Sequence, residues 1–129
     1  MSHSFSLRVY YEDTDLGGIV YYANYLRFIE RARSEWVRSL GIDQRRMKEE
    51  HGTVFAVRRL AADYLSPAHY DDMLTVNTAL VNATGARLTL EQIVRRDRTD
   101  LFTAQVTLAA IGPDGRAARL PAELRRLLG

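Results

Sequence analysis

The 129-residue sequence contains no cysteine. That excludes disulfides, thiolate catalysis and cysteine-based zinc sites together. Lysine is almost missing too: Lys48 is the only one, and the other basic residues are arginines. Arginine suits bidentate phosphate contacts. Here the bias runs the whole length of the chain, with no clustered basic face and no interleaved aromatic motif, so nucleic-acid binding has no support. No apolar run is long enough to span a bilayer, and the opening MSHSFSLRVYYEDTD lacks a secretory signal's apolar stretch. Together with the missing cysteine this makes a cytoplasmic location the expectation. His3, His51 and His69 share no metal-ligand spacing. Gly-x-Ser-x-Gly, Walker and dinucleotide-binding glycine motifs are absent as well.

What is present reads as one globular domain. A chain of this length can bury roughly two-thirds of its unfolded surface, and 47% hydrophobic with 26% charged residues is ordinary for such a domain. The net charge of +2 argues for no particular partner. No repeat, low-complexity segment or linker interrupts the sequence.

Phe5 to Tyr11 reads as a strand and Glu12 to Gly18 as a loop. From about Tyr22 to Leu40, Leu26, Ile29, Ala32, Trp36, Val37 and Leu40 recur at helical spacing, and Gly41 follows as a stop. Asp43 to Glu50 suits a short polar helix. After His51 the period changes to that of strands: Val54 to Leu65, Leu74 to Val81, Arg87 to Val94 and Phe102 to Ala110. The breakers between them are SPAHYDD, NATG and RRDRTD. GPDG at Gly112 to Gly115 suits a turn with proline second, and LPAELRRLLG a last short helix. One long helix followed by hairpin-linked strands predicts an α+β fold, with antiparallel sheet wrapped on the helix. A single helix leaves the second sheet face needing cover.

The segment VYYEDTDLGGIVYYANYLRFIERAR carries the chemistry. It sets Asp15 in a Gly-Gly turn just ahead of the long helix. A carboxylate there can attack a carbonyl or activate water, and the helix start offers free N–H groups and its positive pole to a developing oxyanion. The plainer role is a turn aspartate capping a loop N–H. A calcium loop is discarded, because Asn24 stands where the bidentate glutamate belongs. Asn24 is a natural helix cap. Glu30 fits a salt bridge to a neighbouring arginine.

The pattern D-x-D-x-x-G-x-V-x-Y followed by a Glu-Arg helix resembles the acyl-CoA thioesterases of the 4-hydroxybenzoyl-CoA thioesterase family, and most nearly their Tol-Pal-associated branch. VRRLAADYLSPAHYDDML and the RLP before the tail extend the resemblance over almost the whole chain. It implies a hotdog fold of a long central helix wrapped by about five antiparallel strands. It also implies thioester hydrolysis with Asp15 as nucleophile or general base and the Tyr22 backbone N–H polarising the carbonyl. Tyr22 departs from the histidine common in that branch. Gly18, Ile19, Val20 and Tyr25 border the turn and are the expected substrate-binding residues. Arg87, Arg95, Arg96, Arg116 and Arg119 are candidates for coenzyme A phosphates. No metal or redox cofactor is implied. The implied partners are an acyl-CoA or an acyl carrier protein, and a second copy of the chain in a dimer or tetramer. A hotdog hydratase or dehydratase, or a non-catalytic acyl-CoA sensor, are the alternatives.

Overall fold

The computed structural model describes residues 2–128. Five strands form one antiparallel sheet in the order β1-β3-β4-β5-β2, with β1 at Ser2–Arg8, β2 at Val54–Tyr64, β3 at Met73–Ala83, β4 at Arg87–Arg96 and β5 at Thr99–Ile111. Helix α1 spans Asn24–Ser39, α2 Gln44–His51 and α3 Ala122–Leu128. The expected helix-and-sheet arrangement is therefore present, and NATG and RRDRTD are its β3–β4 and β4–β5 connections. Gly41 ends α1 at a left-handed φ of 82°, and Asp43 caps α2 by accepting the Arg45 and Arg46 amides.

Period-2 alternation sends Leu74 and Val76 of β3, Leu88, Leu90 and Val94 of β4, and Phe102, Val106 and Leu108 of β5 to the inner face. There they meet Tyr25, Phe28, Ile29, Ala32, Trp36 and Val37 of α1. The expected helix stripe was shifted slightly: Leu26 is on the exposed side, while Tyr25 and Phe28 are buried. The opposite sheet face carries mostly small polar residues, among them Thr75, Asn77, Thr89, Thr103, Gln105 and Thr107. It can stay wet, which removes the supposed need for an apolar cover.

One row across the inner face is polar. Register sets His3, Thr78, Gln92 and Ala104 side by side on β1, β3, β4 and β5. Fully buried Gln92 donates from Nε2 to the Ile29 carbonyl and to Thr78 Oγ1, both at 2.9 Å, and its Oε1 accepts from Arg33 Nη1 at 3.1 Å. Burial lowers the Arg33 guanidinium below its ordinary value, and Glu30 offsets part of that. This three-way contact fixes the rotation of α1 on the sheet, which apolar packing alone specifies poorly.

Helix α1 lies over β1, β3 and β4 and α2 meets β2, which leaves the middle of the edge strand β2 uncovered on its inner face. Val57 is 51% exposed and Leu60 39%. Replacing Gln92 by leucine keeps the volume but leaves Thr78 and Arg33 without their partner. Urea unfolding at fixed protein concentration should show a loss of about 2 kcal/mol; an unchanged midpoint would remove Gln92 from this role.

Candidate active site

The chain leaves β1 earlier than the apolar pattern suggested. Val9 is drawn to the turn ahead of β3, its N–H donating to the Asp72 carbonyl at 2.8 Å and its own carbonyl accepting the Asp71 N–H at 2.9 Å. A 3-10 turn follows at Tyr11–Asp13. Residues 13–21 then form a narrow antiparallel loop. The Asp15 N–H donates to the Ile19 carbonyl at 3.0 Å, Thr14 bridges Val20, and the Tyr21 N–H donates to the Asp13 carbonyl at 2.9 Å. Asp13 is the peg of this loop: its Oδ2 accepts the Tyr10 N–H at 2.8 Å, and its carbonyl also accepts Asn24 Nδ2 at 2.9 Å. Asn24 is thus not the cap of α1. It is the first helical residue, and the cap position falls to Ala23, which contributes no side-chain bond.

At the loop tip, Asp15 Oδ1 accepts the Gly17 N–H at 2.9 Å, and the Asp15 carbonyl accepts the Gly18 N–H at 3.0 Å. Gly18 needs its left-handed φ of 78°. A β-carbon at Gly17 would stand 3.1 Å from Asp15 Oδ1, so glycine there also protects the carboxylate's position. Asp15 thus serves as a turn aspartate with one oxygen. The side chain is exposed, and Oδ2 has no partner among the described residues.

Tyr22 lies in a turn ahead of α1, two residues before the helix begins, rather than in its first turn. The turn is closed by the Asn24 N–H donating to the Tyr21 carbonyl at 2.8 Å, which leaves Tyr22 and Ala23 at its centre. Among the described residues neither the Tyr22 nor the Ala23 amide has an acceptor. Two free N–H groups at a helix entry, with the helix dipole behind them, suit a negative oxygen.

The segment 66–72 straps this loop to the body. The Val20 N–H donates to the Ala68 carbonyl at 2.9 Å, the Ala68 N–H donates to the Tyr25 hydroxyl at 3.0 Å, and Ile19 bridges His69. The Tyr25 ring stacks on Phe102 with centroids 5.0 Å apart. Val20 and Tyr25 are buried, so they form the floor beneath the loop, whereas Gly18 is open to solvent. Asp72 anchors the strap by accepting the His69 N–H at 2.9 Å and Arg96 Nη1 at 2.8 Å, while Arg96 also donates to the Pro67 carbonyl at 3.2 Å. Desolvation pushes the Asp72 carboxyl up, but the His69 amide and Arg96 outweigh it and hold it below its ordinary value.

Asp15, Gly18, Ile19, Val20, Tyr22 and Tyr25 thus belong to one local unit. Glu30 lies two turns along α1, exposed, and forms no ion pair among the described residues, contrary to the expected salt bridge. Arg95 and Arg96 are engaged by Asp100 and Asp72, while Arg87, Arg116 and Arg119 have no ion-pair partner among the described residues. Tyr64, Ala68 and Asp72 were not expected at the site. Their one sequence signal is the DYLSPAHYDD string, which reads as the end of a strand and a turn.

The Asp72 contact carries a pH dependence of definite sign. A carboxyl whose folded value is depressed stabilises the fold fully above its unfolded value, about 3.9. That contribution disappears as pH falls through the lower, folded value. Thermal melts from pH 7 down to 3 should show the protein losing stability in the acid range, and Asp72→Asn should flatten that slope. An identical slope in the variant would remove Asp72 as its source.

A model of the Thioesterase superfamily matches residues 17–103. The chain is 45% identical over 108 residues to a protein named acyl-CoA thioesterase YbgC from Haemophilus influenzae, covering 84% of this chain and 79% of that one. Among solved structures, a probable thioesterase from Bartonella henselae superposes with a TM-score of 0.90 at 38% identity, covering 94% of this chain and all of the other. An aspartate-to-asparagine mutant structure, that of 4-hydroxybenzoyl CoA thioesterase complexed with 4-hydroxybenzoyl CoA, superposes with a TM-score of 0.92 at 25% identity over 99% of both chains. With a family model over most of its length and a relative this similar, the chain belongs to the thioesterase superfamily and has the hotdog fold.

Proposed function

We propose that this protein is an acyl-CoA thioesterase in which Asp15 supplies the carboxylate and the Tyr22 and Ala23 amides bind the oxyanion. The observation that carries the reading is the pairing of a solvent-facing Asp15 Oδ2 with two acceptor-free N–H groups in a single strapped loop at a helix entry. The acyl-CoA thioesterase among its relatives supports the substrate class.

The chemistry needs little else. Water adds to the thioester carbonyl while Asp15 takes its proton, the carbonyl oxygen becomes an oxyanion held by the two amides, and the C–S bond breaks as the intermediate collapses. Coenzyme A leaves as thiolate and takes up a proton. In the alternative course Asp15 attacks first, giving a mixed anhydride that water then opens. The Tyr22 side chain is not required, since its backbone is the donor, so the departure from histidine at this position leaves the chemistry intact. Gly18 and Ile19 border the reacting group, and Val20 and Tyr25 shape the floor beneath it. Arg87, Arg116 and Arg119 are the arginines left for coenzyme A phosphates or for an acidic carrier protein. No metal or redox cofactor enters this scheme, and the setting is cytoplasmic. No helix among the described residues is long and apolar enough to cross a membrane.

Assembly belongs to the same proposal. Strand β2 has a free edge 11 residues long, with Val57, Leu60 and Tyr64 partly exposed. A long apolar edge of this kind calls for a partner, and a second copy joining edge to edge supplies one, with a tetramer as a pair of such dimers. Light scattering should return a multiple of the 14.7 kDa chain. A monomer at micromolar concentration would sink the dimer.

The decisive activity test is thiol release from acyl-CoAs running from acetyl through palmitoyl to 4-hydroxybenzoyl, with wild type beside Asp15→Asn. The variant should keep its fold and lose roughly a hundredfold or more in kcat. Undiminished turnover in the variant would overturn the assignment, and unchanged ligand affinity without any turnover in the wild type would favour a sensor.

A further inference from the structure

We infer that Tyr64 is a positioning residue for the oxyanion-binding turn: its hydroxyl fixes the peptide between Tyr22 and Ala23 and strengthens the Ala23 N–H as a donor. This rests on the thioesterase reading above. Tyr64 ends the edge strand β2 and sits opposite Phe102 of β5 on the inner face. Its hydroxyl donates to the Tyr22 carbonyl at 2.9 Å, across 42 positions of sequence.

Three contacts keep that hydroxyl in place. The Tyr64 ring meets Phe102, Tyr25 and Tyr22 edge-on, with centroids 4.9, 5.5 and 6.2 Å apart. These are favoured aromatic geometries. The Tyr22 carbonyl also has no helical duty. In a regular α-helix it would accept the Leu26 N–H, but that N–H donates to the Ala23 carbonyl at 3.1 Å. Tyr64 is thus the donor that orients the peptide plane shared by the Tyr22 C=O and the Ala23 N–H. A donor on the carbonyl polarises the whole amide, so the N–H on the far side of the plane becomes a stronger donor. Desolvation, with Tyr22 and Tyr25 adding to it, raises the Tyr64 hydroxyl above its ordinary value, so it remains protonated and donating at neutral pH. Since Tyr64 stands on the free edge strand, pairing of that edge bears directly on the turn that would hold the oxyanion.

Tyr64→Phe removes one oxygen and retains every ring contact. In steady-state kinetics with the best acyl-CoA, kcat should fall roughly tenfold with KM within about twofold of wild type. In amide NMR spectra of the unliganded protein, the Ala23 resonance should move upfield as its polarising partner is lost. Tyr64→Leu, which also removes the ring, should cost thermal stability in addition. A wild-type kcat in Tyr64→Phe, a KM increase that accounts for the whole loss, or an unmoved Ala23 amide would each overturn the inference. Asp15→Asn is run in parallel. If Asp15→Asn is dead and Tyr64→Phe is not impaired, the hydrolase reading stands and the Tyr64 role falls. If wild type turns over no acyl-CoA, the hydrolase reading falls, and the Ala23 resonance alone decides the Tyr64 contact.

Discussion

The seating of α1 on the inner face of the sheet is the contact on which everything else depends. Phe28, Ile29, Ala32 and Trp36 fix how deeply the helix sits, but a smooth apolar stripe can rotate by a fraction of a turn at little cost. Gln92 removes that freedom by holding the Ile29 carbonyl and the Arg33 guanidinium at once. With the helix angle set, the Tyr21–Asn24 turn at its entry has one orientation. Tyr25 then faces Phe102 and the Ala68 amide, and the strap and the Asp15 loop can dock. The exposed Asp15 loop is given a fixed shape by a polar contact buried beneath α1.

The site is built almost wholly from backbone groups. Asp15 Oδ2 is the one side-chain reagent proposed; the proposed oxyanion donors are main-chain amides, and the loop's shape comes from the Asp13, Ile19 and Ala68 carbonyls with the Asp13, Asp15 and Asn24 side chains pinning them. This is consistent with tyrosine standing at position 22, because a main-chain donor is indifferent to the side chain it carries. It also puts the demand for precision on the turn's surroundings, namely Asn24, Tyr64 and the strap.

Much of this was legible in the sequence, for physical reasons. Periodicity points to α1 and to strands β2 to β5 because half-buried elements must repeat at 2 or 3.6 residues, while α3 is signalled by the proline at its start. Gly41 and the GPDG turn were readable because each is a local device; the Gly115 N–H does close that turn on the Gly112 carbonyl at 3.0 Å. Three of the departures are places where a partner outside the local segment decides. The end of β1 moved from Tyr11 to Arg8 because Val9 is claimed by residues 71 and 72. Asn24, an excellent cap by type, instead reaches back to the Asp13 carbonyl. Tyr64 reads as one more alternating strand residue, and nothing local reveals that its hydroxyl meets Tyr22.

The free edge of β2 has a consequence for the life of the newly made chain. A folded single copy presents an 11-residue strand paired on one side only, with apolar side chains along it. Such an edge will pair with whatever strand it meets first. Where that strand is the second copy proposed above, completing the fold becomes a matter of mass action, in which the melting temperature climbs with protein concentration. At low abundance, isolated chains stay open to mispairing and proteolysis. Synthesis rate, and not sequence alone, would then set how much of this protein reaches its final state.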